Sequence, residues 1–502
     1  MSKLYIFGIG GTGSRVLKSL TMLLAAGVKC NDTIIPIIID RDIANGDLER
    51  TRDNIKRYIQ VNTYVPKPNE ANRNLFFSTK IELLDDKLEL QLKDETSKFA
   101  DYIDRDGMSK ANKALTNALF PEDTLEMDMT VGFQGNPNVG SVVLNQFENA
   151  DIFTDFANDF DEGDKVFIVS SIFGGTGASG FPLLLKTLNK TNPTLAKWGL
   201  IQKAPKGAIS VLPYFDVDED TTGKSLVKSS TFIDKSKAAL SYYKSLDKQI
   251  DTLYYIADKE RSSFEHNAGG KNQTNKANFI ELASALSIID FANNTIPNRH
   301  KNDSTKITKT TYKEFGIIPS KKVDANGNER INNCKEFSFA DMDTTNKIIR
   351  TSVIQFFLFR KYLKEVFENE CKKQPYAHNC FNIAFLKSKN IQPLIEIQDE
   401  FYAWLKEMIW LEDDKTKQNR SFSPLKLHAH NSDVFEFITD KQNSKKGDYL
   451  YKGWSWMDNE LNKQTCEIKK VKKSLSKEGQ FIELFYRTTE NFVKNIVDNT
   501  KN

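Results

Sequence analysis

The stretch Val166–Pro182, VFIVSSIFGGTGASGFP, decides the fold. Its opening residues, with Lys165 before them, make a run Lys165–Ser171 with the length and β-branched content of a buried strand. Glycines then interrupt at Gly174, Gly175, Gly177 and Gly180, and Phe181–Leu188 resumes at helical spacing. Pro182 is expected in the first turn of that helix, where the missing N–H of proline costs nothing. Strand, glycine turn, helix is a unit whose backbone N–H groups approach an anion closely while the helix N-terminus adds partial positive charge.

The N-terminus has the same grammar. Leu4–Phe7 reads as a strand, Gly8-Ile9-Gly10-Gly11-Thr12-Gly13-Ser14 as the turn, and Ser14–Leu24 as the helix. A second strand, Ile34–Ile39, ends in Asp40-Arg41-Asp42. Taken alone, the first loop fits a dinucleotide-binding Rossmann unit, with Asp40 at a spacing suited to a ribose hydroxyl. It also resembles the adenylate-binding loop of ubiquitin-activating enzymes, and a plain tight turn would look the same. The loop Gly174, Gly175, Thr176, Gly177, Ala178, Ser179, Gly180 shifts this balance. Two such loops in one α/β unit direct two helix N-termini at one polyphosphate, with the Thr176 and Ser179 hydroxyls as further donors.

Outward from these loops, Met127–Phe133 leads into the turn Gly135-Asn136-Pro137-Asn138, followed by a predicted helix over Val139–Phe156. Lys206–Pro213 and Thr252–Ala257 read as strands on either side of a helix over Ser225–Leu246, and Asn278–Phe291 as a helix apolar on most sides. This alternation predicts a parallel sheet covered on both faces. Residues 45–105 are polar, with a helix expected over Glu82–Leu92. Asn294–Glu336 predicts loops and a hairpin around Asn326-Gly327, and Thr351–Lys373 and Leu394–Trp410 predict long helices.

Four of these segments together resemble the tubulin/FtsZ superfamily, and in particular its divergent bacterial tubulin-like members. Val166–Pro182 is similar to the strand, GGGTGTG loop and following AAP of that family, with Phe173 where the pattern has its first glycine. Gly8–Ser14 resembles its first phosphate loop. Gly132-Phe133-Gln134-Gly135-Asn136-Pro137-Asn138-Val139-Gly140 resembles the GAGANPEVG loop near the γ-phosphate, and Asp40 and Asp42 fall at its NTD loop. Asp251–Asp258, DTLYYIAD, is similar to DTLIVIPND, with Asp258 in place of asparagine. Asn278 and Phe279 begin what resembles the central helix, where the family stacks and hydrogen-bonds the purine. The resemblance covers about residues 1–345. It implies a nucleotide domain over 1–276, a central helix over 277–294 and a divergent C-terminal domain, α/β or mostly helical, over 295–502.

The resemblance also implies GTP or GDP as ligand, Mg2+ bridging the phosphates, and head-to-tail self-association into filaments with nucleotide between subunits. In the family, a carboxylate loop of the next subunit completes hydrolysis. Here Glu336-Phe337-Ser338-Phe339-Ala340-Asp341-Met342-Asp343 resembles NLDFADV, with Asp341 at the second carboxylate, Ser338 in place of the first and Glu336 at the asparagine. Asp343 or Glu336 would then have to compensate, and GTP hydrolysis is expected to be slow or absent. Bacterial relatives imply roles in DNA positioning, membrane remodelling or phage defence, with partner proteins encoded in the same operon. Two other readings stay open: a non-polymerising nucleotide switch or scaffold, and an NAD-dependent or adenylating enzyme.

Composition narrows the classes. A net charge of +3 from 70 basic and 67 acidic residues gives no broad field for DNA or RNA, so sequence-specific nucleic-acid binding is not expected. The 39% hydrophobic and 27% charged content reads as soluble and globular, and no run approaches a membrane span, so any membrane contact would be peripheral. Cys30, Cys334, Cys371, Cys380 and Cys466 form no CxxC, which fits a reducing cytoplasm. His428-Ala429-His430 has metal-like spacing without a third ligand nearby, and no metal site is expected there. Trp454-Ser455-Trp456 is expected to serve packing.

Overall fold

The computed structural model describes residues 2–42, 44–66, 74–90, 98–130, 132–190, 192–217, 231–258, 262–264, 270–271, 273–294, 299–300, 303–307, 309–315, 321–323, 329–331, 351–378, 381–412, 420–422, 449–471 and 475–499. Six strands form one all-parallel sheet: β1 (Lys3–Ile9), β2 (Thr33–Ile39), β3 (Lys165–Ser171), β4 (Lys206–Val211), β5 (Thr252–Ile256) and β6 (Thr311–Phe315). Their order across the sheet is β2-β1-β3-β4-β5-β6. All seven residues of β2 are buried, as are all but the first of β1 and of β3, which is why their sequences run apolar instead of alternating.

Helices cover both faces. Phe167 of β3 meets Phe291 of the central helix α7 (Phe279–Asn293, numbered in chain order below) at 5.3 Å, whereas Tyr5 of β1, on the opposite face, meets Phe156 at 4.9 Å. Among the helices before α7, those that bear on the site are labelled α1 (Gly10–Ala25), α2 (Gly46–Asn62), α3 (Pro137–Val143), α4 (Asp151–Asp159), α5 (Gly175–Asn189) and α6 (Phe232–Tyr243). The helix expected over Val139–Phe156 is thus divided into α3, a 3-10 segment Leu144–Asn149, and α4. The central helix is apolar on most sides and buried nearly all round. Its serines fold back on the helix itself, Ser284 donating to the Ile280 carbonyl at 2.7 Å and Ser287 to that of Ser284 at 2.6 Å.

Two local expectations are corrected. The helix expected over Glu82–Leu92 is absent through residue 90. Instead Ile81 and Glu89 bridge in parallel to Ile34 and Ile38 of β2, so the segment lines the sheet edge. Pro36 lies midway between those bridges and has no N–H to offer the edge, while Asp85 and Asp86 adopt positive φ of 50° and 55°. The edge therefore pairs at two points and bulges between them. The second correction concerns Pro182, which lies inside α5 because that helix begins at Gly175, well before Phe181. The carbonyl four residues back, at Ala178, loses its helical donor, and the Tyr243 hydroxyl supplies one at 3.3 Å.

The strand β6 follows α7 in the chain yet pairs in parallel with β5, Thr311 opposite Thr252. The expected partition at residue 294 thus leaves one strand of the sheet within the segment assigned to the C-terminal domain. Lys321–Val323 and Glu329–Ile331 pair antiparallel around the expected hairpin. Beyond them the long elements are helices: α8 (Thr351–Glu365), α9 (Gln392–Glu407), α10 (Tyr449–Val471) and α11 (Lys477–Asn499). They pack onto the first half of the chain. Phe76 meets Phe356 of α8 and Tyr486 of α11 at 5.2 and 5.1 Å, and the Trp404 indole of α9 donates to the Ser19 hydroxyl of α1 at 3.0 Å. Trp454 and Trp456 pack against Tyr362 and Phe492, as expected of packing residues. No described helix is long and apolar enough to cross a membrane.

Candidate nucleotide-binding site

Three glycine-containing loops leave the sheet region and meet. Gly10 takes a positive φ of 70° where β1 turns into α1, a conformation open to glycine without strain. A Cβ on Gly10 would lie 3.4 Å from Cβ of Thr176 and 3.7 Å from the Gly177 nitrogen, so the first turns of α1 and α5 abut. A Cβ on Gly175 would lie 3.0 Å from the Asn136 nitrogen and 3.2 Å from that of Gly135, which brings the third loop against the second. The third loop is shaped by positive φ at Gly132, Gln134 and Gly135, and Asn136 caps α3 by accepting from the Asn138 and Val139 N–H groups at 3.1 and 3.4 Å, with Pro137 opening the helix.

The electrostatics follow from this convergence. Each helix N-terminus carries roughly half a positive charge. Neither α1 nor α5 has an acidic residue in its first turn, and neither has a side-chain cap. Two like-signed ends are therefore held together without a described carboxylate between them, a geometry that favours an anion.

Not every hydroxyl expected to help is free to do so. Ser179 is buried and donates to the Gly175 carbonyl at 2.7 Å. Ser14 is wholly buried, and its Oγ has no described hydrogen-bond partner. Thr12 and Thr176 retain 7% and 9% exposure, and the Thr12 hydroxyl accepts from the Arg15 guanidinium at 3.5 Å. Gly11 and Gly13 lie in the first turn of α1; Gly13 fits against the Gly8 backbone so tightly that a Cβ would overlap it. Gly180 packs on Ile9 and serves the helix–strand contact.

Asp40 and Asp42 follow β2. Asp42 is buried; one carboxylate oxygen accepts from the Gly270 N–H at 2.7 Å and the other, Oδ1, has no described partner. Half-buried Asp40 accepts from the Asp42 N–H at 3.3 Å. Burial, reinforced by the Asp42 charge, pushes its carboxyl up to about 7, against the opposing pull of backbone N–H groups and Arg15.

Sequence reasoning missed the group behind the loops. Arg15 of α1, buried, donates to Glu281 of α7 at 2.6 Å and to the Tyr214 hydroxyl at 3.0 Å, and pairs with Asp47 of α2 at 3.4 Å. Tyr214 in turn donates to Glu281 at 2.9 Å. Glu281 also completes a capping box with Asn278, whose side chain accepts from the Ile280 N–H at 2.9 Å. Asn278 is therefore engaged in capping, and Phe279 is buried with 8% exposure in the core. Asp258 is half-buried just past the end of β5. The capping-box spacing Asn278-x-x-Glu281 was readable; the pairing with Arg15, 266 residues away, was not. Lys235 of α6 was also missed: its ammonium donates to the Gly135 carbonyl at 2.8 Å, and burial lowers its pKa. Glu336, Asp341 and Asp343, and His428 and His430, lie outside the described residues.

No protein-family model and no curated protein sequence matches the chain. Among solved structures it is similar to CetZ from Methanosaeta thermophila, at 16% identity over 58% of this chain and 51% of that one, with a TM-score of 0.28. It is similar to a GTPγS-bound protofilament of CetZ2 from Haloferax volcanii at 12% identity, 58% of each chain and a TM-score of 0.28. A GTPγS-form protofilament of TubZ from Bacillus thuringiensis serovar israelensis matches at 11% identity over 84% of this chain and 82% of that one, with a TM-score of 0.27. The chain thus spans only 51% and 58% of the two CetZ structures it matches. Superpositions this loose do not establish kinship. The chain's own geometry is an α/β fold: an all-parallel six-stranded sheet, converging glycine loops and a buried central helix.

Proposed function

We propose that the chain is a tubulin/FtsZ-like nucleotide-binding protein that takes GTP or GDP across the α1 and α5 N-termini and self-associates head-to-tail, with nucleotide between subunits. The observation that carries this reading is the abutment of two helix N-termini with no acidic residue in either first turn. A polyphosphate offers the charge that both ends favour. Gly10, Gly11, Thr12, Gly13, Gly135, Asn136, Gly174, Gly175, Thr176 and Gly177 would line its path, with Asp258, Asn278 and Phe279 toward the base. A heterologous contact that does not close gives filaments. The buried free thiols Cys30 and Cys371 fit a reducing cytoplasm.

The described residues fit Mg2+ in one way only. Among them no group of three or more His, Cys, Asp or Glu is placed to hold a metal ion. Asp42, with one orphaned carboxylate oxygen, and Asp40 beside it match a Mg2+ held mainly by phosphate oxygens and water, the usual manner of Mg2+ in nucleotide sites. Hydrolysis through Asp341, Glu336 or Asp343 remains part of the proposal, with slow turnover expected.

Equilibrium binding of GTP, ATP and NAD, with light scattering and negative-stain microscopy, tests the reading. GTP binding that Gly175→Ala and Thr176→Ala weaken, together with GTP-dependent filaments, is the expected result. Recovery of bound NAD, or ATP-dependent pyrophosphate exchange, overturns it. GTP binding with a protein that stays monomeric under GTP and its slow analogues removes the filament and leaves a nucleotide switch. Asp341→Ala should lower turnover and spare binding.

A further inference from the structure

The helix Lys110–Leu119 stands with its apolar side outward. Its sequence, KANKALTNAL, divides cleanly at 3.6 residues per turn: Ala111, Ala114, Leu115, Ala118 and Leu119 share one side, and Lys110, Asn112, Lys113, Thr116 and Asn117 the other. A surface helix ordinarily turns the first side to the core. Here Thr116 is buried and Lys113 half-buried, whereas Leu115 and Leu119 are 59% and 61% exposed, more than any other large apolar residue among those described. The three alanines are exposed with them.

Polar contacts fix this orientation. Thr116 donates to the Met108 sulfur at 3.3 Å, and Arg105 donates to Asn117 at 3.0 Å and pairs with Glu122 at 3.2 Å. Ser109 caps the helix by accepting from the Asn112 N–H at 3.3 Å. Past the helix end, the Phe120 ring lies 5.0 Å from that of buried Phe99. Turning the leucines inward would break these contacts, so the apolar side is left for another molecule.

The charges indicate which molecule. The helix carries cations near its start, Lys110 and Lys113, and no acid, while exposed Glu122 and Asp123 lie just beyond its end. A second copy laid antiparallel sets each start against the other's end, cation facing carboxylate, and opposes the two helix dipoles favourably. It also sets Leu115 near its own counterpart and Leu119 against Ala111, large beside small. We propose that Lys110–Leu119 is a self-association surface on which two copies of this chain pair about a two-fold axis, through their antiparallel helices. This contact is isologous and closes at two copies, unlike the head-to-tail contact of the preceding section, and it needs no nucleotide. About 15 Å of helix covers less than the roughly 800 Å2 per partner of a standard interface, so the pair is weak unless a second contact adds to it.

Sedimentation of the full chain without nucleotide, over a wide range of concentration, tests this. The expected result is a reversible dimer that Leu115→Ser weakens by at least about tenfold, with thermal unfolding of the monomer unchanged because the residue is exposed. Lys110→Glu should weaken the dimer as well, and adding Asp123→Lys to Lys110→Glu should restore it. A two-fold contact also brings a residue near its own copy. Leu115→Cys should therefore join to itself under a mild oxidant, where the wild-type chain and Ile233→Cys, at a position 55% exposed on α6, do not. A chain that stays monomeric at every concentration overturns the proposal and leaves GTP-dependent head-to-tail assembly untouched. A dimer that Leu115→Ser leaves intact, or self-linking of Ile233→Cys as readily as of Leu115→Cys, overturns it too. Monomers that bind anionic phospholipid vesicles, and lose that binding with Leu115→Ser, assign the face to a lipid surface and overturn the pairing.

Discussion

Asp40 shows how one residue couples site and stability. Its carboxyl rises from an ordinary 3.8 to about 7 in the fold, chiefly through burial. The native state then holds a proton that the unfolded chain has released. This group weakens the fold increasingly as pH rises from 3.8 to about 7 and by a constant amount above that. Asp40→Asn should therefore stabilise the ligand-free protein at pH 8, do little at pH 4, and flatten the pH profile between, as read by urea unfolding at each pH. Arg15 behaves oppositely. It is buried with Glu281 and Asp47, so Arg15→Ala leaves two buried carboxylates uncompensated. A cost of about 3–5 kcal/mol is expected in chemical denaturation. A loss below about 1 kcal/mol would mean that the cluster is open to water and behaves as a surface pair.

Among elements, α9 ties the two halves of the chain. Glu407 at its end accepts from Arg50 of α2 at 2.6 Å and from the Ala277 N–H at 2.9 Å, and pairs with buried Lys18 of α1 at 3.4 Å. Burial alone would raise its carboxyl, but Lys18, Arg50 and the hydrogen bonds outweigh burial and hold it below its ordinary 4.5. A depressed carboxylate contributes stability that is complete above 4.5 and drains away as pH falls through the lower folded value. Glu407→Gln should cost about 2–4 kcal/mol at neutral pH and remove part of the acid-induced loss, as measured by unfolding between pH 3 and 7.

The same elements show what the sequence made legible. The strands β1 to β5 were readable because each is a short apolar run closed by glycine, proline or aspartate, and α7 because it is apolar on most sides. The loops were readable because glycine spacing is local. The edge segment at residues 81–90 was not, because Leu83, Leu84 and Leu88 mimic helical spacing while the bonds that hold the segment come from Ile34 and Ile38. The start of α5 was misplaced because glycines read as a turn, although Gly175 and Gly177 are helical here. Lys235 and Arg15 gave no signal, since each gains meaning only from a distant partner.

For the whole molecule, the first 294 residues do not complete a sheet or a core. Phe76 packs against α8 and α11, and β6 supplies the edge beside β5. A chain ending at residue 294 should therefore lack a cooperative unfolding transition and fail to bind GTP, whereas independent domains would leave both intact. Circular dichroism melts and nucleotide titration of that shortened chain decide between the two.

The position of β6 also bears on synthesis. A ribosome that has released α7 has delivered a sheet with one edge still unpaired, and the aromatic cover over Phe76 is made only once Phe356 and Tyr486 have followed. The nascent chain must keep its first half from aggregating until its final helices emerge. Its dependence on chaperones should accordingly be set by the time needed to translate the C-terminal half.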